Sequence, residues 1–137
     1  HVIPSIIRKV YEAKQSGSDI TLWGDGTPLR EFTCSKDLAK ILLFLLEKYD
    51  RIEPINVGCT SEYSIKDIAT TIADIFDYQG NIIWDTSKPK GQMRKPSDNS
   101  KLLNMGWNKE DYSDFRDSLE RTCQWFLNNY PNVRGIK

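Results

Sequence analysis

The chain has 137 residues, the size of one domain and enough to bury a core without disulfides or metals. Its 19 basic and 19 acidic residues balance, so no net field marks nucleic acid or an anionic membrane as a partner, and the ordinary apolar content argues against disorder. Three scattered cysteines, Cys34, Cys59 and Cys123, form no CxxC pair; this argues against a disulfide framework and structural zinc and fits a reducing, cytoplasmic setting.

Ile3, Ile6, Ile7 and Val10 recur at helical spacing, with Pro4 tolerated in a first turn and Ser16-Gly17-Ser18 as the stop. Ile20–Trp23 reads as a short strand, residues 24–28 as a turn and Arg30–Thr33 as extended. Ser35 is positioned to cap a helix with an apolar face of Leu38, Ile41, Leu42, Leu45 and Leu46. Pro54–Val57 reads as a buried strand closed by Gly58. Ser64 and Asp67 have capping-box spacing before a face of Ile65, Ile68, Ile72, Ile75 and Phe76. Asn81–Trp84 is the last expected strand, and the polar stretch 86–99, with two prolines and four Lys or Arg, reads as a functional loop. A short helix over Lys101–Asn104 precedes a final one opened by Ser113, with Phe115, Leu119, Thr122 and Phe126 on one face. Strands alternating with helices predict an α/β layer architecture.

The longest apolar run, Ile41–Leu46, is too short to span a bilayer, and no secretory signal pattern opens the chain. The opening His1-Val2-Ile3-Pro4, without an initiating methionine, leads us to expect part of a longer protein.

Few residues carry chemistry on spacing alone. Gly24-Asp25-Gly26 follows a strand, but Pro28 and Arg30 lead into extended chain where a phosphate cradle needs a helix amino terminus, so we read a tight turn. Lys9, Arg30, Arg94 and Lys95 could converge on a diphosphate, arginine by its planar fork, although spacing alone favours solvated surface charge. Trp23 ends a strand as either a core residue or a wall for a nucleotide or sugar, while Trp84, Trp107 and Trp125 read as packing residues. His1 is the sole histidine, with an intrinsic pKa of about 6.5 suited to proton transfer. No Ser-His-Asp order, HExxH or metal-ligand cluster stands out, and no tyrosine has lysine four residues on.

Taken together, the segments His1–Lys9 (HVIPSIIRK), Trp23–Phe32 (WGDGTPLREF), Asp37-Leu38-Ala39, Ile55–Gly58 (INVG), Asp85–Pro89 (DTSKP), Gly91–Lys95 (GQMRK) and Gln124–Leu127 (QWFL) resemble the GDP-L-fucose synthase family of extended short-chain dehydrogenase/reductases. The resemblance implies the α/β substrate-binding lobe of that superfamily, with elements that normally complete its Rossmann domain. Residues 1–137 would be the carboxy-terminal portion, and the amino-terminal NADP-binding half would be absent.

The implied activity epimerises GDP-4-keto-6-deoxy-D-mannose at C3 and C5 and reduces C4 with NADPH. His1 matches the family's catalytic histidine, which also touches the cofactor. Lys9, Trp23, Arg30 and Lys95 match contacts of the GDP-sugar. The family's catalytic cysteine, its Tyr and Lys and its glycine-rich turn lie upstream, so Cys34, Cys59 and Cys123 are not candidates by this route. Lys90 departs from the pattern, which has aspartate there, and puts that contact in doubt. Expected partners are a GDP-sugar, the missing half and a second subunit in a homodimer, with neither nucleic acid nor membrane. Cut from its other half, the helix at residues 36–48 is expected to expose an apolar face. Another nucleotide-sugar epimerase or dehydratase, or a non-catalytic GDP-sugar binding module, stay open as alternatives.

Overall fold

Apolar residues on one stripe of Val2–Ser16 (α1) bury Ile6, Ile7, Val10 and Ala13 in the computed structural model, which describes residues 1–133. A fully buried Ile or Val contributes about 1.5–3 kcal/mol, so this stripe fixes which way the helix faces. Gly17 ends α1 at φ 68°, and Ser18 N–H donates back to the Ala13 carbonyl at 3.1 Å. The left-handed conformation there favours glycine.

Strand Ile20–Trp23 (β1) alternates inward Ile20 and Leu22 with outward Thr21 and Trp23. It pairs in parallel with Ile82–Asp85 (β4), Ile20 opposite Ile82 and Trp23 opposite Asp85. A second two-stranded sheet sets Leu29–Glu31 (β2) antiparallel to Glu62–Ser64 (β3), with Leu29 opposite Ser64. Helix Ile65–Ile75 (α3) follows β3 directly. Its start is the expected reciprocal box, Ser64 Oγ accepting from Asp67 N–H while the Asp67 carboxylate accepts from Ser64 N–H. α1, α3 and the final helix Phe115–Asn129 (α5) enclose the main core with β1.

A second, smaller core joins helix Ser35–Lys48 (α2) to the short helix Ser100–Asn104 (α4). It is built on Ile41, Leu45, Leu102 and Trp107. A single 3-10 turn, Lys109–Asp111, lies between α4 and α5.

The expected α/β class is therefore observed, with local differences. Residues 54–57 form no strand. Ile55 and Val57 pack against the second core, and among the described residues no neighbouring strand offers them a backbone ladder, without which an extended segment is not a strand. The strand following that segment is Glu62–Ser64 instead. α5 is capped by Asp114, whose carboxylate accepts from Asp117 N–H at 3.0 Å, not by Ser113. Its buried face carries Cys123 where Thr122 was expected, because Leu119, Cys123 and Phe126 share the stripe and Thr122 is exposed. The N-cap of α2 is Cys34, not Ser35. Trp84 is half-buried and Trp107 buried, as a packing role requires, but Trp125 is exposed on α5.

Candidate functional site

α1 presents two of the expected residues. Lys9 is half-buried, and its Nζ donates to the Thr21 carbonyl on β1 at 2.6 Å. His1 precedes the first turn of α1 and is exposed, with its carbonyl accepting from Ser5 N–H. Eight residues of helix separate it from Lys9, about 12 Å along the axis.

β1 carries Trp23 at its end. The inward–outward alternation turns the indole out, and it is 66% exposed. The turn that follows places Gly24 at φ 80° and Gly26 at φ 75°. A side chain at Gly26 would meet the Trp84 ring at 2.7 Å, so the turn is seated on that indole and only glycine fits. The carbonyls of Gly26 and Pro28 accept from Lys66 and Ile65 N–H at 2.9 and 3.1 Å. The first amides of α3 are thus occupied by protein, and the glycine pair is a turn between strands rather than a phosphate cradle, as its sequence implied.

β2 carries Arg30, half-buried, with Nη1 donating to the Leu29 carbonyl at 2.6 Å. A Cβ on Gly91 would lie 3.5 Å from Arg30 Nη2, so the polar segment 86–97 passes directly over this guanidinium. Several attachments hold the segment there. Lys90 Nζ lies 2.9 Å from Asp25 Oδ2. Leu29 N–H donates to the Met93 carbonyl at 2.8 Å. Arg94 grips Glu62 through Nε and Nη2. Ser97 donates to Glu31 from N–H at 3.1 Å and from Oγ at 2.6 Å.

The electrostatics follow from these contacts. Thr27, by hydroxyl and backbone, together with Lys90 holds the Asp25 carboxyl below the usual carboxylate range. Arg94 does the same for Glu62. With Arg94 committed to Glu62, the adjacent exposed Lys95 carries the positive charge of that dipeptide toward solvent. The structure thus gathers Trp23, Arg30 and the Lys95-bearing segment around the Gly24–Pro28 turn, with Lys9 tied to the same strand as Trp23. No described contact joins His1 to that group.

A cavity of about 230 Å³ beside Gly24, Asp25, Thr86, Lys88 and Lys90 opens at this turn. It is smaller than the ~300–1,000 Å³ of ordinary ligand sites, and its lining includes neither Trp23, Arg30 nor Lys95. Among the described residues no group of three His, Cys, Asp or Glu side chains is arranged to hold a metal ion.

Sequence reasoning missed Asp37, which is 2% exposed. Its carboxylate accepts from Ser113 N–H at 2.8 Å and from Ser113 Oγ–H at 2.7 Å. The signal was present: Asp37, Ile41 and Leu45 stand four residues apart and share the buried stripe of α2. Cys34, at the helix N-cap, lines a cavity of about 270 Å³ with Asp37, Cys59, Tyr63 and Tyr112. Burial opposes ionisation of the Cys34 thiol, but the backbone N–H of Lys36, the Ser118 hydroxyl and the backbone N–H of Asp37 hold it below its ordinary value.

Residues 1–58 match the NAD dependent epimerase/dehydratase family. A probable GDP-L-fucose synthase 1 of Oryza sativa subsp. japonica is 40% identical over 98% of this chain and 40% of its own length. The GDP-L-fucose synthase of Dictyostelium discoideum is 38% identical over 98% of the chain and 42% of its own length. A solved structure, the GDP-L-fucose synthetase of Naegleria fowleri bound to NADP, superposes with a TM-score of 0.91 at 40% identity, covering 98% of this chain and 42% of that one.

The fold is that of the epimerase/dehydratase branch of the extended short-chain dehydrogenase/reductases. Within that class, the chain resembles GDP-L-fucose synthase along nearly its whole length. It spans about 40% of the length of the curated relatives it matches. No helix among the described residues is long and apolar enough to cross a membrane.

Proposed function

We propose that this chain is the carboxy-terminal, substrate-binding portion of an enzyme that converts GDP-4-keto-6-deoxy-D-mannose to GDP-L-fucose, epimerising C3 and C5 and reducing C4 with NADPH. The observation that carries the reading is the convergence of Trp23, Arg30 and the Lys95-bearing segment on one turn, in a chain whose relatives include GDP-L-fucose synthases.

In this reading Arg30 offers its planar fork, and Lys95 its ammonium, to the diphosphate. The outward Trp23 indole stacks on the base or a sugar face. An ammonium has three donors, so Lys9 can keep its bond to Thr21 and still reach the ligand. His1 serves as a proton-transfer group at the carbons alpha to the ketone, where acid–base catalysis acts on the protons to be exchanged, and it touches the cofactor.

The described residues offer no cradle for that cofactor, since the glycine turn spends its neighbouring helix amides on its own carbonyls. Apart from the contact at His1, NADPH binding falls in this reading to the amino-terminal half. The complete protein is read as a cytoplasmic homodimer acting on a GDP-sugar, without nucleic acid or membrane as partner.

Calorimetric titration of the chain with GDP, ADP and UDP tests the binding role. Saturable binding of GDP alone is expected. Loss of a charge-assisted bond, worth about 1.5–3 kcal/mol, should weaken it roughly 10- to 150-fold in Arg30→Ala and in Lys95→Ala. Equal binding of all three nucleotides would reduce the basic residues to a generic phosphate patch. No binding at all would remove the nucleotide from this chain's role.

A further inference from the structure

Segment 86–97 is attached to the body of the chain unevenly. Its second half has three attachments to β2 and β3, at Met93, Arg94 and Ser97, and a long contact of the Met93 sulfur with the Thr27 hydroxyl at 3.9 Å. Between these and β4 lies Gly91, at φ 76°, a conformation that lets the chain pivot. On the other side of that pivot the side-chain attachment is Lys90 to Asp25, 2.9 Å between Nζ and Oδ2.

The acceptor is well prepared. Asp25 Oδ1 takes both donors of Thr27, N–H at 3.0 Å and Oγ–H at 2.6 Å. This fixes the carboxylate and leaves Oδ2 turned to Lys90. The lysine backbone is equally close: a Cβ on Gly24 would stand 2.8 Å from Lys90 Cβ and 3.0 Å from its Cα. Turn and segment therefore touch through a glycine on one side and a paired charge on the other.

We propose that Asp25 and Lys90 form a charge latch, two positioning residues that seat residues 88–91 on the Gly24–Pro28 turn and so hold Gly91 over the Arg30 guanidinium that meets the diphosphate. The latch rests on the reading of this surface as the GDP-sugar wall. Pairing leaves Lys90 with no net charge to contribute, so its work is geometric. Bound ligand meets Lys95 and Arg30, and Lys90 acts through the segment it holds.

The test uses the chain with Asp25→Ala, Lys90→Ala and the exchanged pair Asp25→Lys with Lys90→Asp. Amide hydrogen exchange at Gly24 and Lys88, whose N–H groups donate to the Asp85 carbonyl at 2.9 and 3.2 Å on the two sides of the latch, is read by NMR, with circular dichroism to confirm that the fold is kept. Each single variant is expected to speed exchange about two- to five-fold, the range for an exposed ion pair. The exchanged pair should return it to near the original rate. Unchanged exchange in the single variants, or no recovery in the exchanged pair, overturns the latch.

A second measurement separates positioning from mere stability. The loss of GDP affinity caused by Arg30→Ala should be smaller in the Lys90→Ala background than in the original chain, since a misplaced guanidinium has less to lose. Additive losses overturn the positioning role. The exchange measurement needs no nucleotide, so failure of GDP to bind would strike the functional reading while the latch is still decided by exchange.

Discussion

Replacing Asp37 by alanine should destabilise the chain by about 2–4 kcal/mol. Its carboxylate is 2% exposed and accepts two short bonds from one residue, Ser113 N–H at 2.8 Å and Oγ–H at 2.7 Å. Bonds to a charged acceptor are each worth about 1.5–3 kcal/mol, and alanine recovers part of what burial of the carboxylate cost. Lys40, half-exposed and 4.0 Å away, adds little. The substitution also leaves Ser113 N–H without its partner, at the point where the chain enters α5.

Such a loss is a large share of the ~5–15 kcal/mol that holds a domain folded. Urea unfolding followed by tryptophan fluorescence would show it as a lowered midpoint with an unchanged slope. Ser113→Ala keeps the backbone bond and should lose only about 1 kcal/mol, and the double variant should lose hardly more than Asp37→Ala. A loss below about 1 kcal/mol in Asp37→Ala would refute the reasoning, because it would mean that the tether between α2 and the 112–114 segment carries no net free energy.

Leu43 and Leu46 on α2 are 65% and 83% exposed. Leu43→Lys with Leu46→Lys should shift sedimentation toward monomer while moving stability by no more than about 0.5 kcal/mol; unchanged association would clear this face. Iodoacetamide at neutral pH should alkylate Cys34 well before Cys123, whose thiol burial pushes up to about 11, and equal rates in the native chain would contradict both assignments. The unfolded Cys123 thiol ionises near its ordinary value while the folded one stays protonated. The folded state then binds the extra proton, and stability should fall by up to about 1.4 kcal/mol per pH unit between roughly 9 and 11.

The elements legible in the sequence were those whose cause is local. The stripe Ile6, Ile7, Val10 and the stop at Gly17 fix α1 without reference to anything distant. Ser64 and Asp67 cap α3 from three residues apart. What failed depended on partners. Residues 54–57 have a strand's composition but no described ladder, and Glu62–Ser64 becomes a strand because Leu29–Glu31 lies across from it. Ser113 looked like a cap because its hydroxyl is the right kind. It is drawn instead to a carboxylate 76 residues away in sequence, and Asp114 next to it takes the cap.

The candidate site divides along the same line. Trp23 stood between core residue and ligand wall until the alternation of β1 turned it outward, whereas Gly24-Asp25-Gly26 could be refused as a phosphate cradle from Pro28 and Arg30 alone. The choice between Arg94 and Lys95 had no local answer. It is made by Glu62, 32 residues before Arg94, which takes the guanidinium and leaves the neighbouring ammonium to face outward. Arg30 is likewise an ordinary strand cation until Gly91 passes over it. The polar segment 86–97, which follows β4 without helix or strand, thus sets which cations stay unpaired and which are covered, and each of its anchors is an acidic side chain or a free backbone donor on β2, β3 or the turn between β1 and β2. Since one anchor, Lys90 on Asp25, is a pair of opposite charges rather than an apolar contact, the arrangement can be reversed in sign without being lost. An exchanged pair can therefore report on the site's geometry separately from its charge.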